Sequence, residues 1–191
     1  MVKTETAETI SPIAPVYFDS ALIAKFYLNE PGRDAIRALA KNAGIVVTSG
    51  IAVAEVSAAF HRKLREGVVG HDVFAALHGQ FQHDLKNELW RLIGPTEALF
   101  DQVRTFFLRL DRSVFLRSLD ALHLITAKAE HFDRIYSNDR HLLGACASMG
   151  LDGVNPIPEG RPKSAPPGGP SASFDAEIPE RPTTSRKRRK K

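Results

Sequence analysis

The chain has 191 residues, 43% of them hydrophobic and 25% charged, with a formal net charge of +4 and a single cysteine, Cys146. That is apolar material for one ordinary domain with chain to spare; one cysteine excludes an intramolecular disulfide and suits a reducing compartment. No apolar run reaches the roughly 20 residues of a membrane helix, and the polar opening MVKTETAETI lacks the apolar segment of a secretory signal, so a soluble cytoplasmic protein is expected.

The spare chain lies at the end. From Glu159 to Lys191 the sequence is rich in Pro, Gly and Ser, nearly free of large apolar side chains, and closed by the basic run RKRRKK. Such a segment buries too little surface to offset its ordering entropy and reads as a disordered tail. The tail holds nine Lys/Arg and four Asp/Glu, whereas residues 1–158 hold 17 and 18, so the positive charge belongs to the tail alone. The expected organisation is an N-terminal extension over 1–14, one domain over 15–158, and the tail over 159–191.

Along the body, PVYFD at 15–19 is a short apolar strand ending in an acid. SALIAKFYL follows with helical spacing and Asp19 or Ser20 at its cap. A second helix is expected over Pro31–Asn42 with Gly44 beyond it, then a β-branched strand in GIVVTS. Ile51–Arg65 is amphipathic with a basic last turn, and His71–Lys86 carries another helix. LWRLI is a third strand, stopped by Gly94 and Pro95, and Thr96–Leu110 resumes helical spacing. Arg117–His131 is a helix, DRIYSND a strand ending in an acid, HLLGACASMG a helix closed by Gly150, and GVNPIP a last short strand. Strand and helix alternate throughout, which predicts a parallel sheet with helices on both faces.

In such sheets functional groups gather beyond the carboxyl ends of the strands. Asp19 and Asp139 each end a predicted strand, Asp120 opens a helix, and Glu55 lies early in the helix after the second strand. Singly, each has a plain structural reading: Asp19 and Asp139 as helix caps, Glu55 and Asp120 as early-turn acids, Arg117 as a local ion-pair partner. Together, four acids at one edge are costly, since two carboxylates about 4 Å apart repel by about 4 kcal/mol at an effective dielectric near 20. A divalent cation removes that cost, and all-oxygen ligation favours Mg²⁺ or Mn²⁺ over zinc. The seven histidines show no paired metal-ligand spacing and read mostly as surface or core-edge residues.

At these residues the sequence resembles the PIN-domain family, and within it the VapC-type ribonuclease toxins of toxin–antitoxin pairs. The matching pieces are Asp19-Ser20 in VYFDSALIAKFY, Glu55 in AEVSAAF, Arg117 and Asp120 in RSLDALHLITA, and Asp139 in YSNDRHLL, in the family's order over roughly residues 15–157. The resemblance implies an α/β fold, a Rossmann-like α/β/α sandwich with a mainly parallel sheet, and Mg²⁺- or Mn²⁺-dependent hydrolysis of RNA phosphodiesters. It implies Asp19 and Asp120 as main metal ligands, with Glu55 and Asp139 completing the catalytic cluster directly or through water. Ser20, Ser137 and Asn138 become candidates for holding a phosphate or a water of the metal. Arg117 is a candidate for orienting Asp120, beside its reading as a structural ion pair.

The resemblance also implies a small antitoxin partner, seated on an apolar groove for which Phe26, Tyr27, Phe60 and Leu64 are candidates besides being plain core, and a homodimer. Arg62, Lys63 and Arg65 read first as a solvated face. The basic tail departs from the compact family pattern; it reads as a solubilising extension or as a segment that attracts nucleic acid or an anionic surface, in which case it would add salt-sensitive affinity for RNA. A phosphotransferase of the haloacid dehalogenase kind needs a second Asp where Ala21 stands, and a dinucleotide site needs a glycine-rich turn that DSALIAKF lacks. The rival from another class is a non-catalytic PIN-like RNA-binding or scaffold module.

Overall fold

The computed structural model describes residues 14–158; the expected basic tail and all but the last residue of the N-terminal extension lie outside the described residues. Five strands alternate with seven helices: β1 (Val16–Phe18), α1 (Ser20–Tyr27), α2 (Arg33–Ala43), β2 (Val46–Ser49), α3 (Ala52–Arg65), α4 (His71–Lys86), β3 (Trp90–Ile93), α5 (Glu97–Phe107), α6 (Ser118–Ala129), β4 (Arg134–Tyr136), α7 (Arg140–Ala145) and β5 (Asp152–Val154). A 3₁₀ turn, Cys146–Met149, precedes β5.

All five strands pair in parallel in the order β3-β2-β1-β4-β5. The chain runs outward from β1 through β2 to β3, then returns to place β4 on the other side of β1. Strand order therefore reverses at β1, and the crevice beyond the carboxyl ends of β1 and β4 is where an open sheet of this kind accepts ligands.

Two-residue periodicity splits the strands between two cores. Phe18, Val46 and Trp90 face a core built with Leu22, Ile23 and Phe26 of α1, Val56 and Phe60 of α3, and Phe81 of α4. Tyr17, Val47 and Ile135 face the opposite side, against Ala121, Leu124 and Ala127 of α6 and Leu142 of α7. The α/β/α sandwich with an all-parallel sheet follows from that alternation.

Helix α6 explains why RSLDALHLITA is apolar nearly all round. Every residue from Asp120 to Ala127 is buried, because the helix packs against β2, β4, α5 and α7 and keeps little free surface.

Differences from expectation lie at element ends. The second helix begins at Arg33 rather than Pro31, because Gly32 takes φ +92°, and a Cβ there would meet the Ile157 side chain at 2.7 Å. Helix α5 stops at Phe107, three residues early, and the segment expected as one helix before Gly150 divides into α7 and the 3₁₀ turn. Phe26, Tyr27 and Phe60 take the plain-core reading rather than that of a docking groove. The Tyr27 hydroxyl donates to Asp84 at 2.7 Å and accepts the Trp90 indole N–H at 2.6 Å, which ties α1, α4 and β3 together. Leu64 is half-buried. Among the described residues no helix is long and apolar enough to cross a membrane.

Candidate functional site

Asp19 stands where β1 ends and caps α1, its Oδ1 accepting the Leu22 amide at 2.9 Å. Its other oxygen accepts the hydroxyl of Ser137, the first residue after β4. The Ser137 Oγ accepts the Asp139 amide in turn, at 2.9 Å. Ser137 is fully buried and stitches the ends of β1 and β4 together at the point where strand order reverses.

Asp19 is only 3% exposed. Burial pushes its carboxyl up to about 6, against the opposing effects of the Ser137 hydroxyl, nearby His123 and the Leu22 amide, with the Glu55 charge adding to the rise. The ionised form is thus disfavoured where it stands, although the anion has hydrogen-bond donors.

Asp139 caps α7, its Oδ1 accepting the amides of His141 at 2.7 Å and Leu142 at 3.2 Å. Its Oδ2 accepts from Arg117 Nη2, while Arg117 Nε donates to Asp120 Oδ2 at 2.8 Å. One guanidinium therefore bridges two of the acids. Burial would raise the Asp139 carboxyl, but the two amides and Arg117 outweigh it and hold it below the usual range. The hydrogen bond and charge of Asp120 lead in raising the Arg117 pKa.

Glu55, in the first turn of α3, lies 3.0 Å from His123 Nε2, and His123 Nδ1 lies 3.1 Å from the Tyr17 hydroxyl. Burial works against the Glu55 anion, but His123, Ser20 and Arg117 together keep its carboxyl below the ordinary value. His123 was not among the sequence candidates. Its ring is 1% exposed, and the signal that would have found it is its position three residues after Asp120, on the same face of an otherwise apolar helix.

All four acids, with Ser20, Arg117, Asn138 and His123, line one cleft of about 650 Å³. Ser137 lies beneath it, hydrogen-bonded to Asp19 and to the Asp139 amide. The structural readings of Asp19 and Asp139 as caps and of Arg117 as an ion-pair partner hold alongside their place in the cleft.

The residues suit a hard divalent cation in chemistry. The donors are carboxylate oxygens, Asp19 is destabilised as an anion by burial, and the Asn138 Oδ1 is buried at the cleft with no hydrogen-bond partner. The acids do not form a ready-made cage: among the described residues no group of three or more His, Cys, Asp or Glu side chains is gathered closely enough to hold an ion. Arg117 lies between Asp120 and Asp139, and His123 lies against Glu55.

Several solved structures share the fold. The VapC20 toxin of Mycobacterium tuberculosis, a toxin that cleaves the sarcin–ricin loop, aligns at a TM-score of 0.53 and 17% identity, over 68% of this chain and 94% of its own. FitAcB from Neisseria gonorrhoeae aligns at 0.57 and 18%, over 74% and 97% of the two chains. FitAB bound to an IR36 DNA fragment gives 0.57 and 17%, over 74% and 95%. No curated protein matches the chain in sequence at a significant level. The PIN domain profile matches residues 16–146, a span that holds β1 to β4 and every acid of the cleft. The chain belongs to the PIN domain family.

Proposed function

We propose that the protein is a Mg²⁺- or Mn²⁺-dependent endoribonuclease, the toxin of a toxin–antitoxin pair. The observation that carries this reading is the meeting of Asp19, Glu55, Asp120 and Asp139 in one cleft at the switch point of a parallel sheet. Asp19 and Asp120 would hold the ion, with Glu55 and Asp139 joining directly or through water. A divalent cation held there would supply charge to offset that gathered by the phosphoryl oxygens and would lower the pKa of a water.

The chain's own residues prepare that chemistry. Ser137 and the Leu22 amide fix both oxygens of Asp19. His123, held by Tyr17, fixes Glu55. Arg117 keeps Asp120 and Asp139 in place, and its guanidinium, about half exposed at the cleft, is positioned to take a phosphate oxygen. Ser20 and the Asn138 oxygen, which line the cleft, would orient a phosphate or a water. Hydrolysis by this route does not use the RNA 2′-hydroxyl and leaves a 5′-phosphate and a 3′-hydroxyl.

The proposed organisation is a nuclease domain over 15–158 with the tail over 159–191 adding salt-sensitive RNA affinity. A small antitoxin that covers the acids, a homodimer and a cytoplasmic setting complete the proposal. The second reading, a non-catalytic RNA-binding module, draws on Arg117, which already neutralises two of the acids. Incubating the full chain with a mixed RNA pool separates the two. Cleavage with Mg²⁺ or Mn²⁺ that stops with chelator or with Asp120→Asn supports the nuclease; binding without cleavage supports the module.

A further inference from the structure

A second depression, of about 480 Å³, runs along the outer face of α3. It shares Glu55, Ala59 and Arg62 with the acidic cleft, so the two adjoin along α3. Its remaining lining is Ala58, His61 and Arg65. Glu55, Ala58, Ala59, Arg62 and Arg65 recur at three- and four-residue steps, which places them along one stripe of the helix. The alanines keep the floor low, and Arg65 lies about 15 Å along the helix axis from Glu55.

The basic run HRKLR is divided by its surroundings. Lys63 is committed, 2.8 Å from Glu30 and 3.5 Å from Glu66. Arg62 has only a long contact with Glu66, at 3.9 Å with the arginine side chain 58% exposed, a pair of little strength in water. Arg65 is exposed, and no ion pair involves it among the described residues. The two arginines with uncommitted charge are the two that line the depression, while the domain they belong to carries slightly more acid than base.

We propose that this stripe is the track on which the sugar–phosphate backbone of a single RNA strand leaves the catalytic cleft, with Arg62 and Arg65 each taking a phosphate. The inference rests on the nuclease reading and deepens it: the substrate is bound as an extended single strand whose cut lies at the Glu55 end of α3. About one helical turn separates Arg62 from Arg65, a spacing that long side chains can match to neighbouring phosphates of one strand. Arginine suits the task, since its planar fork matches a phosphate and its charge is permanent.

The test uses the full chain carrying Asp120→Asn, so that RNA survives, and a short fluorescein-labelled single-stranded RNA followed by anisotropy between about 50 and 200 mM KCl. Each of Arg62→Gln and Arg65→Gln should lower the slope of log affinity against log salt by about 0.7, and the pair by about 1.4. Arg→Lys at both positions should restore the slope. Arg134→Gln, at the opposite end of the sheet, should leave it unchanged. Without Asp120→Asn, the paired Gln variant should raise KM with kcat held. An unchanged slope and KM in a chain that still cleaves RNA overturns the track and leaves the nuclease standing. An equal loss from Arg134→Gln also overturns the track. A wild-type chain that neither binds nor cleaves RNA overturns both.

Discussion

Replacing Asp19 by Asn should make the protein more stable at neutral pH, an unusual outcome for a buried polar residue. The Asp19 carboxyl rises from its ordinary 3.8 to about 6, chiefly through burial. A carboxyl raised in the folded state contributes its full stability below the unfolded value, near 4, and that stability is lost as pH climbs through about 6. The shift is about two units, which sets an upper limit of about 3 kcal/mol on the loss. Asn cannot ionise, yet it keeps the α1 cap, because its side-chain oxygen can still accept the Leu22 amide, while its Nδ2 donates to the Ser137 Oγ, which turns from donor to acceptor. Urea unfolding in chelator, at pH 4 and at pH 8, measures the gap between the two proteins. It should be near zero at pH 4 and approach about 3 kcal/mol in favour of Asn at pH 8. A gap that does not change with pH, or a variant less stable than wild type at pH 8, would refute the reasoning.

Mg²⁺ or Mn²⁺ should stabilise the wild type by about 2.7 kcal/mol at a hundredfold excess over its dissociation constant, and Asp120→Asn should abolish the gain in a thermal melt. His123→Leu leaves the buried Tyr17 hydroxyl and the Glu55 carboxylate without their shared partner; it should cost about 1–3 kcal/mol in urea unfolding and lower cleavage while leaving RNA affinity intact. Arg117→Gln removes the charge between Asp120 and Asp139, so it should lower stability in chelator, with Mg²⁺ closing the gap in parallel melts. The Asp139 carboxyl is held below its ordinary value, so the stability it adds is present above about pH 4 and lost as pH falls further. Asp139→Asn should therefore flatten the acid limb of the unfolding profile.

The strand–helix alternation was legible because each strand is a short apolar run closed by an acid, Gly or Pro, and each long helix carries period or caps. His71–Lys86 agrees to the residue, since Gly70 and Asn87 close it sharply at both ends. The start of α2 was not legible: Pro31 looks like a first-turn residue, and only contact between Gly32 and Ile157, 125 positions away, shows why the chain turns once more. The four acids could be placed at one edge of the sheet from order alone. What order could not supply is how they are held apart, because the Arg117 bridge between Asp120 and Asp139 spans two elements and 22 residues. His123 stayed hidden for the same reason. Its partners Tyr17 and Glu55 lie 106 and 68 residues away, so it reads as one more core residue of α6. The aromatics of α1 and α3 carried two readings, groove and core, because side chains on the inner face of a helix look alike in sequence whether covered or open; the core reading holds.

The chemistry of the cut ends tests the central claim most directly. Purified full chain, free of any partner, is incubated with RNA and Mg²⁺ or Mn²⁺ beside Asp19→Asn and Asp120→Asn, and the new termini are mapped. The account predicts 5′-phosphate and 3′-hydroxyl ends from the wild type alone, at sites that remain cleavable when the 2′-hydroxyl is removed. Ends bearing a 5′-hydroxyl and a 2′,3′-cyclic phosphate, or undiminished cutting by both variants, would contradict it.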